Sequence, residues 1–202
     1  LSQPGIADEM VEATISEHGK VDVLINNAAA LIRKRLTDFN EELLQAAVDA
    51  NMWTTLRCSK AVISSMTAAG YGRIVNIGGE AWRLGTPFHT LLGGIGKGSM
   101  VGLTTTLAGE TVKDGITVNC VSPGGIDSAS GGDPDAPVPA TSTEWTPPQV
   151  LKELGQLPRP STFIGRKAHP TEIAAAVAFF ASPEASFVTG QHLGVSGGMA
   201  ML

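Results

Sequence analysis

One lysine, Lys97, sits in a run of glycines, Gly93-Gly94-Ile95-Gly96-Lys97-Gly98, and the segment before it holds Glu80, Arg83, Thr86, His89 and Thr90. These polar groups are dense enough to do chemistry. A lysine cation favours the charged form of a neighbouring acid. A loop histidine, His89, exchanges a proton near neutral pH, and Glu80 is a further acid/base candidate. The glycine run looks like a phosphate-binding loop but fails its spacing: Leu91 stands where the first glycine belongs, and Gly98 replaces the Ser or Thr after the lysine. The glycines more simply let a helix start pass close to something, at about 1 kcal/mol of helix propensity each.

The elements around this segment define where it lies. Ile74 to Ile77 reads as a buried strand that runs into Gly78-Gly79. Gly94 to Val112 reads as a helix with Met100, Val101, Leu103, Leu107 and Ala108 on its core side, and Ile116 to Val121 as a second buried strand ending in Ser122-Pro123-Gly124. A strand, a helix and a strand of this kind form a βαβ unit whose ligands sit at the carboxyl ends of the strands. The site is therefore expected around Gly78, Gly79, Lys97 and Pro123.

Upstream, Ile6 to His18 has helical spacing and Gly19 supplies a stop. Val21 to Ala28, VDVLINNA, is the continuous apolar run of a central parallel strand. Glu41 to Met66 reads as one long helix, and Pro170 to Ser182 as another with Thr171 as its cap candidate.

At 202 residues the chain is read as a single α/β domain, residues 1–202, with 43% apolar and 16% charged residues. Its net charge of −5 argues against a nucleic-acid partner. Cys58 and Cys120 fall in helix and strand patterns and read as small core residues in a reducing compartment. No run of about 18 apolar residues exists for a membrane span, and no signal peptide is visible, so a cytoplasmic location is expected. No metal ligands are assigned.

The motifs resemble the short-chain dehydrogenase/reductase family. Gly72-Arg73-Ile74-Val75-Asn76-Ile77, Lys97, Ile116-Thr117-Val118-Asn119 and Pro123-Gly124-Gly125-Ile126-Asp127-Ser128 follow that family's G-x-I-V-N-I-S-S, Y-x-x-x-K, I-x-V-N and P-G-x-x-x-T frame. Asn26-Asn27-Ala28-Ala29 is similar to its N-N-A-G turn, and the stretch from Glu172 to Gly198 to its ending. The resemblance implies a Rossmann-like, doubly wound parallel sheet and an NAD- or NADP-dependent oxidoreductase of a small alcohol or carbonyl substrate. It implies cofactor contacts at Asn27, Ala28, Ala29, Lys97, Pro123, Gly124, Ile126 and Ser128. Asn51 matches a family position that bends its helix and whose backbone holds a water on the lysine; the plainer reading is an asparagine bonded to its own helix.

Two family residues are replaced. The family serine falls at Gly79 or Gly78, and the family tyrosine at Gly93, four before Lys97 and so on one helix face with it. In the family the tyrosine passes a proton to or from the substrate oxygen. The sole tyrosine here, Tyr71, precedes the strand and lies at its other end.

The resemblance also implies that the chain begins just before the family's fourth strand. The first three strands would then be lacking here, with the glycine turn that binds pyrophosphate and the residue that selects NAD or NADP. The Val21 strand is expected as a bare edge unless roughly 50 to 70 further residues or a partner cover it. Residues 124–160 correspond to the family's substrate loop, with a short helix expected over Pro147 to Leu154 and Trp145 either stacking on a ligand or packing under the loop. The Asn51 helix and the Lys97 helix pack against their copies in family oligomers. Three readings follow: an atypical oxidoreductase in which water, His89 or substrate replaces the tyrosine, in a homo-oligomer; a non-redox relative doing elimination, isomerisation or cyclisation; or an inactive subunit paired with an active homologue.

Overall fold

The structure, a computed structural model, describes residues 1–30, 32–127, 149, 152–153 and 162–201. Four parallel strands form its sheet: β1 (Val23–Asn26), β2 (Gly72–Ile77), β3 (Ile116–Pro123) and β4 (His192–Val195), in the order β1-β2-β3-β4. Val23 pairs with Arg73, Gly72 with Ile116 and Cys120 with His192. This is the parallel α/β architecture expected from the apolar runs, and the Rossmann-like fold that the family resemblance implies.

Parallel strands are buried on both faces, and β2 and β3 are buried almost throughout, with Arg73, Asn76, Thr117, Asn119 and Ser122 as their buried polar residues. Side chains alternate between the faces. Ile74, Ile116 and Val118 pack with Val11 of α1 (Ile6–His18), Val62 and Met66 of α3 (Thr54–Ala69) and Leu107 of α5 (Gly98–Thr111). Val75 and Val121 face the other way, against Ile173 and Phe180 of α6 (Pro170–Ala181). Among the described residues β1 has β2 as its one neighbour, and its Val23 and Ile25 are exposed.

Three helical expectations change in detail. The long helix from Glu41 is α2 (Glu41–Val48), a wide π-helical turn over Asp49–Trp53, and α3. Asn51 lies inside that wide turn, where a helix bends. The Lys97 helix is regular only from Gly98; Thr90–Lys97 is a second wide π-helical segment. Gly93, Gly94 and Gly96 offer no side chains to fix an α-helical turn, and a Cβ on Gly96 would stand 2.8 Å from Asn51 Cβ, so the two wide turns press together. Finally, His169 and not Thr171 caps α6. Pro170 takes the first helical position, the His169 ring accepts the Thr171 N–H, and Glu172 reaches back to the His169 N–H.

A short helix, α4 (Ala81–Leu84), fills the loop after β2. The expected helix at Pro147 to Leu154 lies largely outside the described residues, as do Ser128 and Trp145. No described helix is long and apolar enough to cross a membrane.

Candidate active site

The carboxyl ends of β1, β2 and β3 bring most of the expected residues to one end of the sheet. Asn27, Ala28 and Ala29 follow β1 and are exposed. Gly78 and Gly79 follow β2, with the Gly78 N–H donating to the Val121 carbonyl at 2.8 Å. Pro123, Gly124 and Ile126 close β3; Gly124 is pressed against Ser196, whose Cα would be 2.8 Å from a Cβ there, and Ile126 bridges to Ala168.

Lys97 ends the second wide turn. Its Nζ donates to the Ile77 carbonyl at 2.8 Å, the last residue of β2. Burial draws its pKa below the usual lysine value, and the Cys120 thiol acts in the opposite direction. The two glycines before it differ sharply. A Cβ at Gly78 would stand 2.4 Å from Ser122 Oγ and 2.9 Å from Cys120 Sγ, so that position admits no side chain as packed. A Cβ at Gly79 would meet only Lys97 Cγ, at an ordinary 3.7 Å. Of the two positions weighed for the family serine, Gly79 is the one with room, and the space beside it adjoins Lys97.

Gly93 is crowded. A Cβ there would stand 3.0 Å from Ala81 Cβ and 3.2 Å from His89 Cβ. A side chain at this point would need Ala81 or His89 to give by a few tenths of an ångström. Tyr71, at the amino end of β2, lies under the Arg73 guanidinium, 4.3 Å from its ring centre, and is far from this end of the sheet.

Asn51 is buried, and its amide is fully used. Oδ1 accepts the Ala30 N–H at 3.1 Å, and Nδ2 donates to the carbonyls of Ala30 and Ala47 at 3.0 and 2.9 Å. The plain reading, a bond to its own helix, is half of its role. The other half is to clamp the loop that follows β1.

His89 is held at both nitrogens. Its Nε2 takes a hydrogen bond from Arg33 Nε at 3.1 Å, and Nδ1 lies 2.8 Å from the Pro87 carbonyl. Since both the guanidinium N–H and the carbonyl have fixed roles, the ring is neutral with its proton on Nδ1. Burial and the Arg33 charge hold its pKa below the usual value, against the pull of the Pro87 carbonyl. Glu80 is 2% exposed and paired with Arg83 at 3.3 Å, while its Oε1 has no partner among the described residues. Burial pushes its carboxyl pKa up, and Arg83 opposes this. Gly194 makes room for it: a Cβ there would stand 2.7 Å from Glu80 Oε1.

The site also contains groups that the pattern did not single out. Ser122 Oγ accepts the Gly79 N–H at 3.1 Å and lies 2.6 Å from His192 Nε2. Ser122 follows Cys120 by two along β3, which puts both on the Lys97 side of the sheet; that alternation was a usable signal. His192 carried none, because its place depends on β4 pairing beside Cys120. Cys58 and Cys120 are free and buried, as core residues.

A parallel sheet with a lysine-bearing helix start at its carboxyl end agrees with the frame that the short-chain dehydrogenase/reductase resemblance implies. The family model described as enoyl-(acyl carrier protein) reductase matches residues 1–200. The chain is 35% identical over 202 residues to 2,3-dihydroxy-2,3-dihydro-p-cumate dehydrogenase of Pseudomonas putida, covering all of this chain and 73% of that protein. It is 34% identical to the 3-oxoacyl-[acyl-carrier-protein] reductase FabG of Vibrio cholerae and 32% identical to FabG of Escherichia coli, covering all of this chain and 76% of each. The chain belongs to the short-chain dehydrogenase/reductase family.

Proposed function

We propose that this protein is an NAD(P)-dependent oxidoreductase acting on a small alcohol or carbonyl compound through an active site without the family's serine and tyrosine. The observation that carries this reading is the retained Lys97, hydrogen-bonded to Ile77 beside the side-chain-free Gly79. The family match over residues 1–200 supports it. The residues fit the ribose end of a nicotinamide nucleotide. Lys97 spends one N–H on Ile77 and has two more to donate, and Asn27, Ala28 and Ala29 are exposed on the same sheet end.

In this account Lys97 and Asn27–Ala29 hold the ribose, and Pro123, Gly124 and Ile126 line the nicotinamide side, with the Ser128 assignment lying outside the described residues. Bound NAD(P) supplies or accepts the hydride. Asn51 acts by position, fixing the loop after β1 against the wide turn that carries Lys97. His89 is not free to trade a proton, so water in the space beside Gly79, or the substrate itself, takes the tyrosine's part. The Lys97 cation favours the deprotonated form of the group that does so. Fixed binding of the reactants alone supplies a useful part of the acceleration. Residues 124–160 form the substrate loop of a single domain. A cytoplasmic homo-oligomer, dimer or tetramer, fits the outer faces of α3 and α5, where Leu56 is exposed and a Cβ on Gly102 or Gly109 would meet nothing within 4 Å.

A second reading, an inactive subunit paired with an active homologue, is favoured by one observation: a side chain at Gly93 would crowd Ala81 and His89, so the packing here is drawn in around a glycine. A non-redox relative fits the same loss. Direct titration of the full-length protein with NADH and NADPH tests the main reading. Binding of at least one is expected, and binding of neither contradicts it.

A further inference from the structure

Arg33 stands apart among the six described arginines. Arg35, Arg83 and Arg166 each have a carboxylate, from Glu153, Glu80 and Glu172. Arg57 and Arg73 donate to backbone carbonyls and lie over Trp53 and Tyr71. Arg33 has none of these; its partner is the neutral His89 ring, bonded through Nε alone. That leaves both terminal nitrogens, the forked edge of the guanidinium, without a protein acceptor among the described residues.

The position is as telling as the lack of an acid. Arg33 is half-buried, and burial draws its pKa below the usual arginine value. Withdrawing a cation from water without a counter-charge is costly. The loop that carries it follows β1 at the ligand-binding end of the sheet and is clamped by Asn51 through Ala30. His89, which orients the guanidinium, is itself fixed by Pro87 and packs against Gly93, one turn before Lys97. The guanidinium is thus pre-oriented, partly desolvated and one side chain away from the position the family gives to its tyrosine.

We propose that Arg33 is the anchor for an oxyanion, the carboxylate or phosphate of an anionic substrate, whose reacting carbon lies toward Lys97. A guanidinium fork binds such groups through two parallel N–H···O bonds, which fixes orientation as well as charge. The glycine at position 93 leaves room for His89, and the neutral histidine aims the arginine. This specificity rests on the reading of this sheet end as the substrate site.

The test is calorimetric titration of the full-length protein with benzoate and with phenyl phosphate, using benzyl alcohol as the neutral control. At least one anion is expected to bind, and Arg33→Gln to weaken it about tenfold or more. Arg33→Lys, which keeps the charge but loses the fork, is expected to fall between and carries the test if the glutamine variant does not fold. The two anions tell carboxylate from phosphate. Binding of neither anion, or equal binding by wild type and both variants, overturns the anchor. Nicotinamide turnover separates this from the oxidoreductase reading. Arg33-dependent anion binding without turnover leaves the anchor standing and sinks the redox chemistry. Turnover without any Arg33-dependent anion binding does the reverse.

Discussion

The Lys97 ammonium donates to the Ile77 carbonyl at 2.8 Å, which ties the site's cation to the last residue of β2. A lysine held in this way is aimed by the sheet and not by a neighbouring acid. Lys97→Met removes the charge while keeping the partly buried stem apolar. The variant is expected to melt at or above the wild-type temperature yet bind the preferred nicotinamide nucleotide about tenfold more weakly. Unchanged binding would separate Lys97 from the cofactor.

Gly78 and Gly79 are neighbours with opposite tolerance. Serine at Gly78 meets Ser122 Oγ and Cys120 Sγ well inside contact distance, and should cost about 1–3 kcal/mol in chemical denaturation. Serine at Gly79 has room beside Lys97 and should stay within about 0.5 kcal/mol of wild type. Equal effects at both positions would mean that the loop after β2 is packed otherwise.

Asn51→Ala removes three hydrogen bonds and leaves the Ala30 N–H and carbonyl without partners. A loss of about 2–4 kcal/mol is expected. Because the clamp holds the loop after β1, nucleotide affinity should fall with it. A variant of wild-type stability would remove Asn51 from both roles.

His89 and His192 are both held below the ordinary histidine pKa, chiefly by burial, with Arg33 and Arg83 respectively adding to it. Between those depressed values and about 6.5 the unfolded chain binds more protons than the folded one. Their contribution to stability is therefore complete above about pH 6.5 and is lost as the pH falls through and below it. Glu172, lowered to about 2 by Arg166, adds a further loss between its unfolded value and about pH 2. Melting temperature against pH should be flat from about 7 to 8 and then fall, and His89→Gln with His192→Gln should flatten the first decline. A decline unaffected by the double substitution would place the acid sensitivity elsewhere.

The sheet was legible because β2 and β3 place apolar residues on both faces, Ile74 and Val118 on one and Val75 and Val121 on the other, as buried parallel strands do. The helix α1 was legible to its end residues, since Gly19 adopts the left-handed conformation that stops it. The wide turns at Asp49–Trp53 and Thr90–Lys97 were not, because each depends on the contact between Asn51 and Gly96, forty-five positions apart. The same holds for the site. Lys97 and the glycines were visible in their spacing, whereas the Arg33–His89 and Ser122–His192 pairs join loops and strands that only the folded sheet brings together.

The central claim is that redox chemistry survives without the tyrosine. Nicotinamide absorbance, followed with the full-length protein and a panel of secondary alcohols and ketones, tests it most directly. The account predicts turnover of at least one member that Lys97→Met abolishes. No turnover across the panel with either NAD or NADP, or turnover that Lys97→Met leaves intact, contradicts it.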